Sequence, residues 1–193
     1  VMFPIIDLRG EVIGFGGRVL DGSEPKYLNS PDTVIYNKSR NLFALNLARK
    51  SKQGRIILTE GYMDTISLHQ AGFDCAVASL GTSLTQEHAH LLSRYTKEAV
   101  IAYDGDGAGV SAAQRAIPIL EKTGIQVKVL QVRGAKDPDE FIQKYGREAF
   151  QKLITGSENH IEYRLRQIQT KYNLEDDTQK VDFLRECAAM LAT

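Results

Sequence analysis

With 193 residues, 42% of them hydrophobic and 25% charged, the chain is long enough to bury a substantial core and suits one main domain with a small attachment. Its 24 Lys and Arg balance 24 Asp and Glu, which argues against a uniformly basic nucleic-acid coat. No stretch approaches the roughly 20 consecutive apolar residues of a membrane span, and the opening VMFPIIDLRG lacks a signal-peptide pattern, so a cytoplasmic protein without a membrane partner is expected.

The zero total conceals a segregation of sign. Residues 1–55 carry nine basic and five acidic side chains (9 − 5 = +4), residues 56–110 carry two and seven (2 − 7 = −5), and residues 111–193 carry thirteen and twelve (13 − 12 = +1). A basic segment therefore precedes an acidic one. Cys75 and Cys187 lie far apart, with neither CxxC spacing nor a histidine pair near them in the sequence, so neither a disulfide framework nor a zinc site is expected. The chain opens within an extended run and stops at ECAAMLAT without a helix stop signal, which reads as a segment of a longer protein.

In chain order, FPIIDLRGEVIGFGGRVL (3–20) predicts a β-hairpin turning at Arg9-Gly10, its second strand loosened by Gly14, Gly16 and Gly17. DGSEPKYLNSPDT reads as loop, because Pro25, Pro31 and clustered Asp, Ser and Asn oppose regular structure. SRNLFALNLARK (39–50) predicts a helix with Ser39 at its N-cap. From residue 55 strands and helices alternate: RIILTE (55–60), the helix GYMDTISLHQAG, DCAVASLG (74–81), the helix TSLTQEHAHLLSRY, and EAVIAY (98–103). The helix GAGVSAAQRAIPILEKTG, bent near Pro118, and the strand QVKVLQV (126–132) complete the series. Such alternation predicts an α/β fold with a parallel sheet covered on both faces. Residues 138–193 read as entirely helical, in the segments PDEFIQKYG, REAFQKLITG, NHIEYRLRQIQ and TQKVDFLRECAAML. Three zones follow: a β-hairpin, loop and helix over 1–54, the α/β region over 55–137, and a helical region over 138–193.

The chemistry concentrates at predicted strand ends. Asp104 and Asp106, in VIAYDGDGAG, lie just past the third strand of the α/β region, and Glu60 ends the first. Asp137 and Asp139, in AKDPDE, follow the fourth. In open α/β sheets ligands bind beyond the carboxyl ends of the strands, so three strand ends direct acidic groups to one edge. Like charges there repel unless a cation lies among them, and oxygen-only ligands select hard ions, Mg²⁺ or Mn²⁺. An isolated DxD is more often a solvated turn or helix cap. Here Gly105, Gly107 and Gly109 permit a sharp turn, and the following helix N-terminus favours an anion. A calcium loop is excluded, because the fifth and twelfth positions counted from Asp104 are Ala108 and Arg115.

EGYMD, YDGDGAG and KDPDE resemble the Toprim domain shared by primases, topoisomerases and some nucleases. FPIIDLRGEVIGFGGRVL, PKYLNSP, EGYMD, DGDGAG and KDPDEF, in this order over residues 3–155, resemble more narrowly the RNA-polymerase domain of bacterial DNA primases. That resemblance makes zone 1–54 the end of an N-terminal basic subdomain, 55–137 a Toprim domain and 138–193 a helical subdomain. It implies synthesis of short RNA primers on single-stranded DNA from ribonucleoside triphosphates, with two or more Mg²⁺ or Mn²⁺ ions. Asp104, Asp106 and Asp137 would hold metal with Asp139 assisting, and Glu60 would be either a metal ligand or the proton acceptor for the attacking 3′-hydroxyl. Arg18, Lys26, Lys38 and Arg40, with Asn29 and Ser30, would meet the triphosphate, Lys26 and Lys38 foremost. A guanosine alarmone would compete at the same site, and the replicative helicase would be engaged by a module outside these residues. A zinc module of such primases has no Cys/His counterpart here, so the isolated segment is expected to be weakly active or inactive.

Two other readings use the same residues: a Toprim nuclease, and a non-catalytic module binding metal or nucleotide. His88 and His90, two apart on a predicted helix, face opposite sides and read as packing. Tyr62 and Met63 read as packing at a helix start, and Tyr163 and Tyr172 as core or interface.

Overall fold

The computed structural model describes residues 1–132 and 134–192. The chain divides into two compact units, Val1–Ser157 and a second beginning at Glu158. The first unit opens with β1 (Met2–Ile6), β2 (Val12–Arg18) and β3 (Tyr27–Asn29), an antiparallel sheet in the order β1-β2-β3. The expected hairpin is present, with Gly10 at φ 97° in its turn. Residues 27–29, expected as loop, instead pair with β2 in the register Gly16↔Asn29, Gly17↔Leu28, Arg18↔Tyr27. Tertiary pairing against a glycine-rich strand overrides the turn chemistry on either side of this short run.

The expected helix over 39–50 is reduced to α1 (Leu45–Ala48). Phe43 exchanges backbone hydrogen bonds with Ala78, and Ala44 adopts φ 63°, so helical geometry cannot begin before residue 45. Ser39 therefore caps nothing; its carbonyl accepts the Thr85 hydroxyl at 2.7 Å.

β4 (Ile56–Thr59), α2 (Tyr62–Gln70), β5 (Ala76–Ala78), α3 (Gln86–Leu92), β6 (Glu98–Ile101), α4 (Gly107–Glu121), β7 (Gln126–Val129) and α5 (Pro138–Thr155) follow as the predicted alternation. The strands pair in parallel in the order β5-β4-β6-β7. Their core is continuous because the strands carry no outward polar row: β4 and β5 are buried at every residue. Ile57, Ala76 and Val100 pack with Leu68 of α2 and Phe141, Phe150 and Ile154 of α5. By the strand alternation, Ile56, Leu58, Ala99 and Ile101 face the other side, where α4 packs on β7 and on α3. Pro118 lies inside α4 without ending it.

Gly146, at φ 77°, breaks α5 where the sequence separates PDEFIQKYG from REAFQKLITG. Because Phe150 and Ile154 belong to the sheet's core, the first unit continues past residue 137 to Ser157. The second unit holds β8 (Glu158–Asn159), α6 (His160–Gln169) and α7 (Asp177–Leu191), so the C-terminal zone is not helical throughout. Asn159 and Asp176 cap the two helices. Tyr172 donates to Glu186 and packs edge-on against Phe183, which ties α6 to α7.

Among the described residues no helix is long and apolar enough to cross a membrane.

Candidate active site

Parallel register brings the acidic residues together. Leu58 of β4 lies beside Ile101 of β6, so the residues just beyond each strand emerge side by side, and the Asp104 N–H donates to Glu60 Oε1 at 3.2 Å. β7 lies next to β6, and the loop after it returns to the same edge, where Gly105 N–H donates to the Lys136 carbonyl at 3.3 Å. Asp106 and Asp137 are the N-caps of α4 and α5: each accepts a backbone N–H through Oδ1 at 2.8 Å, from Gly109 and Glu140. A side chain at 109 would collide with the Asp104 carbonyl and with Glu60 Oε1, so only glycine admits this approach of α4.

A cleft of about 540 Å³ covers this edge. Glu60, Asp64, Asp104, Asp137 and Asp139 line it, together with Arg18 of β2, Asn29 of β3 and Lys26 just before β3. Asp106 is exposed just beyond the wall. Lys38 and Arg40 do not line the cleft: the Lys38 carbonyl accepts from the buried His88, and Arg40 borders a separate depression beside Asp7 and Leu91. Ser30, also outside the wall, accepts the Phe15 N–H.

Tyr62 joins α2 to the small sheet. Its hydroxyl donates to the Gly17 carbonyl at 2.8 Å, and its ring meets Phe3, Tyr27 and Phe43. Arg18 and Lys26 both lie over the Tyr27 ring, 5.5 and 5.6 Å from its centroid, which holds two cations on the cleft-lining face of the sheet. His88, expected as packing, is fully buried and joins α3 to the carbonyls of Lys38 and Asn41.

The carboxylates feel one another. Burial pushes the Asp104 carboxyl up to about 6, helped by Glu60, Asp137 and Asp106 and opposed by Lys136. Burial raises Glu60 as well, partly offset by the Asp104 N–H and reinforced by Asp106. The strongest effect falls on Asp64, in the first turn of α2: burial lifts it to about 7, against the hydrogen bond from the Asp139 N–H and with the charges of Asp137, Asp104 and Asp139 adding to the rise.

Asp64 is the acidic residue that the strand-end pattern passes over. Its signal lies in EGYMD itself, four residues after Glu60, where the first helical turn returns a side chain to the strand end. Lys136 and Gln143 also line the cleft without an assignment from sequence.

Among the described residues, no three His, Cys, Asp or Glu side chains are already gathered closely enough to enclose a metal ion. The donor set nonetheless fits a hard divalent ion. It is all oxygen, and the backbone N–H bonds to Glu60, Asp106 and Asp137 engage one carboxylate oxygen of each, leaving the other for coordination. Ion binding would draw these side chains inward and relieve their mutual repulsion.

Residues 57–142 match the Toprim-like family, and residues 1–49 match the N-terminal domain of the DNA primase catalytic core. The DNA primase of Clostridium acetobutylicum is 47% identical over 192 residues, 99% of this chain and 32% of that protein. The Aquifex aeolicus primase, solved as zinc-binding and RNA polymerase domains, superposes with a TM-score of 0.80 at 39% identity, over 100% of this chain and 51% of that one. A primase catalytic domain bound to single-stranded DNA gives 0.83 at 39% identity, over 94% and 59%. This chain spans about a third of the length of the curated relatives it matches. With both family matches in chain order and such identity across nearly all its residues, the chain belongs to the bacterial DNA primase family, in the region of the Toprim-containing catalytic core.

Proposed function

We propose that the chain is the catalytic segment of a DNA-templated RNA polymerase that makes short RNA primers on single-stranded DNA by nucleotidyl transfer. The observation that carries this reading is one cleft lined both by two cations, Arg18 and Lys26, and by acids from three adjacent strand ends. A nucleoside triphosphate is an anion whose reacting phosphorus must approach a nucleophile, so it needs both. Arg18 and Lys26 neutralise the triphosphate and Asn29 adds a hydrogen bond, which fixes the chain of phosphates relative to the acids.

Glu60, Asp104, Asp106, Asp137 and Asp139 would hold Mg²⁺ or Mn²⁺, two ions of which would activate the attacking oxygen and steady the leaving pyrophosphate. Where it is not itself a ligand, Glu60, whose carboxyl burial raises, would instead accept the proton of the attacking 3′-hydroxyl. The single-stranded template would run past the same cleft, and a guanosine alarmone would compete with the triphosphate for the Lys26 side. The helicase of the replication fork would be engaged by other parts of the full-length protein.

The test is calorimetric titration of GTP into the chain with Mn²⁺, without metal, and with Mn²⁺ after Asp104→Asn plus Asp106→Asn. Binding that needs metal and is lost in the double variant supports the polymerase reading. Binding indifferent to both would remove the carboxylates from triphosphate recognition and sink it.

A further inference from the structure

Asp139 is held differently from the other carboxylates at this edge. Its Oδ1 accepts two side-chain donors carried by two helices: the Ser67 hydroxyl of α2, and the Gln143 amide of α5 at 2.7 Å. Its own N–H donates to Asp64 Oδ1 at 3.3 Å. Asp64 and Ser67 are three apart on α2, and Asp139 and Gln143 four apart on α5, so each pair shares a helix face, and these helices pack together. Among the described residues Oδ2 of Asp139 has no partner, and Asp139 lines the cleft. A carboxylate in a helix's first turn can choose among staggered side-chain wells, and two donors on one oxygen select one of them.

We propose that Ser67 and Gln143 are positioning residues for Asp139, which by occupying Oδ1 present Oδ2 to a divalent cation in the cleft. The inference rests on the reading of Asp139 as a cation ligand. Partners that orient a ligating side chain change ion affinity without touching the ion. A hydroxyl that merely fastened α2 to α5 would change stability and leave that affinity alone.

Mn²⁺ is titrated calorimetrically into the whole 193-residue chain and its variants. Ser67→Ala and Gln143→Ala are each expected to weaken binding about tenfold, and Ser67→Thr, which keeps the hydroxyl, to remain within about threefold of the parent. Ser67→Ala combined with Asp139→Asn is expected to bind no more weakly than Asp139→Asn alone, since Ser67 acts through that carboxylate. Gln143 is exposed, so its variant tests the idea without disturbing the core. Ser67→Ala and Gln143→Ala behaving as the parent, while Asp139→Asn is weakened, would overturn the positioning role alone. So would a Ser67→Ala loss that persists undiminished in the Asp139→Asn background. Asp139→Asn titrating as the parent would reject the reading of Asp139 as a ligand, and this inference with it.

Discussion

A single missing side chain and a single buried carboxyl shape the acidic edge. Gly109→Ala would set a methyl group against the Asp104 carbonyl, a backbone atom that cannot swing aside, and against Glu60 Oε1. It is expected to cost about 1–3 kcal/mol, as overpacking does, read as a lower urea midpoint with an unchanged slope. Asp64 gives a pH dependence whose sign can be worked out. Its ordinary value near 3.8 applies to the unfolded chain and a value of about 7 to the folded one. Between those values the folded chain holds a proton that the unfolded chain has released, so stability falls as pH rises. Measured without divalent metal, the parent should therefore lose stability relative to Asp64→Asn from about pH 4 to about pH 7, with a constant gap above. A gap independent of pH would show that Asp64 stays ionised throughout. Asp104 and Glu60 were legible because strand-end position alone implicates them. Asp64 was not, because its relevance depends on how the first turn of α2 lies against α5.

Among the elements, the parallel strands were readable and the small sheet was only half so. β4, β5 and β6 are short apolar runs between helices, and burial on both faces leaves them no other arrangement. β3 carries exposed Tyr27 and Leu28 and no buried residue, so its strand character exists only through its pairing with β2. α1 lost its first turns to the Phe43–Ala78 bridge, a contact 35 positions apart (78 − 43) that local periodicity cannot register. Tyr62 connects the small sheet to the Toprim region, and Tyr62→Ala should cost about 3–5 kcal/mol as a large aromatic truncation. The same variant should weaken nucleotide binding, because Tyr27, with its two cations, rests edge-on against that ring. Unaltered affinity in a folded Tyr62→Ala chain would show that the small sheet keeps its place by other contacts.

For the molecule as a whole, the cluster around Ile57, Leu68, Val100 and Phe150 and a second one of Ile5, Ile13, Tyr36, Tyr62 and Leu80 both lie within Val1–Ser157. A chain ending at Ser157 should therefore still unfold cooperatively, checked by coincident circular dichroism and fluorescence transitions. The segment from Glu158 onward, being shorter than about 40 residues, should not fold when isolated. Loss of cooperativity in the shortened chain would mean that the first unit is not a core in its own right. Sequence by itself determined the parallel α/β class, the strand ends that carry Glu60, Asp104, Asp106 and Asp137, and the family motifs. These are local patterns of burial, punctuation and charge, written within a few residues of one another. Which cations of the basic segment line the same cleft as Glu60, Asp104 and Asp137 was decided only in three dimensions. Arg18 and Lys26 line the cleft while Lys38 and Arg40 do not, although all four belong to one basic segment. Composition records the charge of a segment; the β2–β3 register and the packing of Tyr62 determine which of its side chains line the cleft.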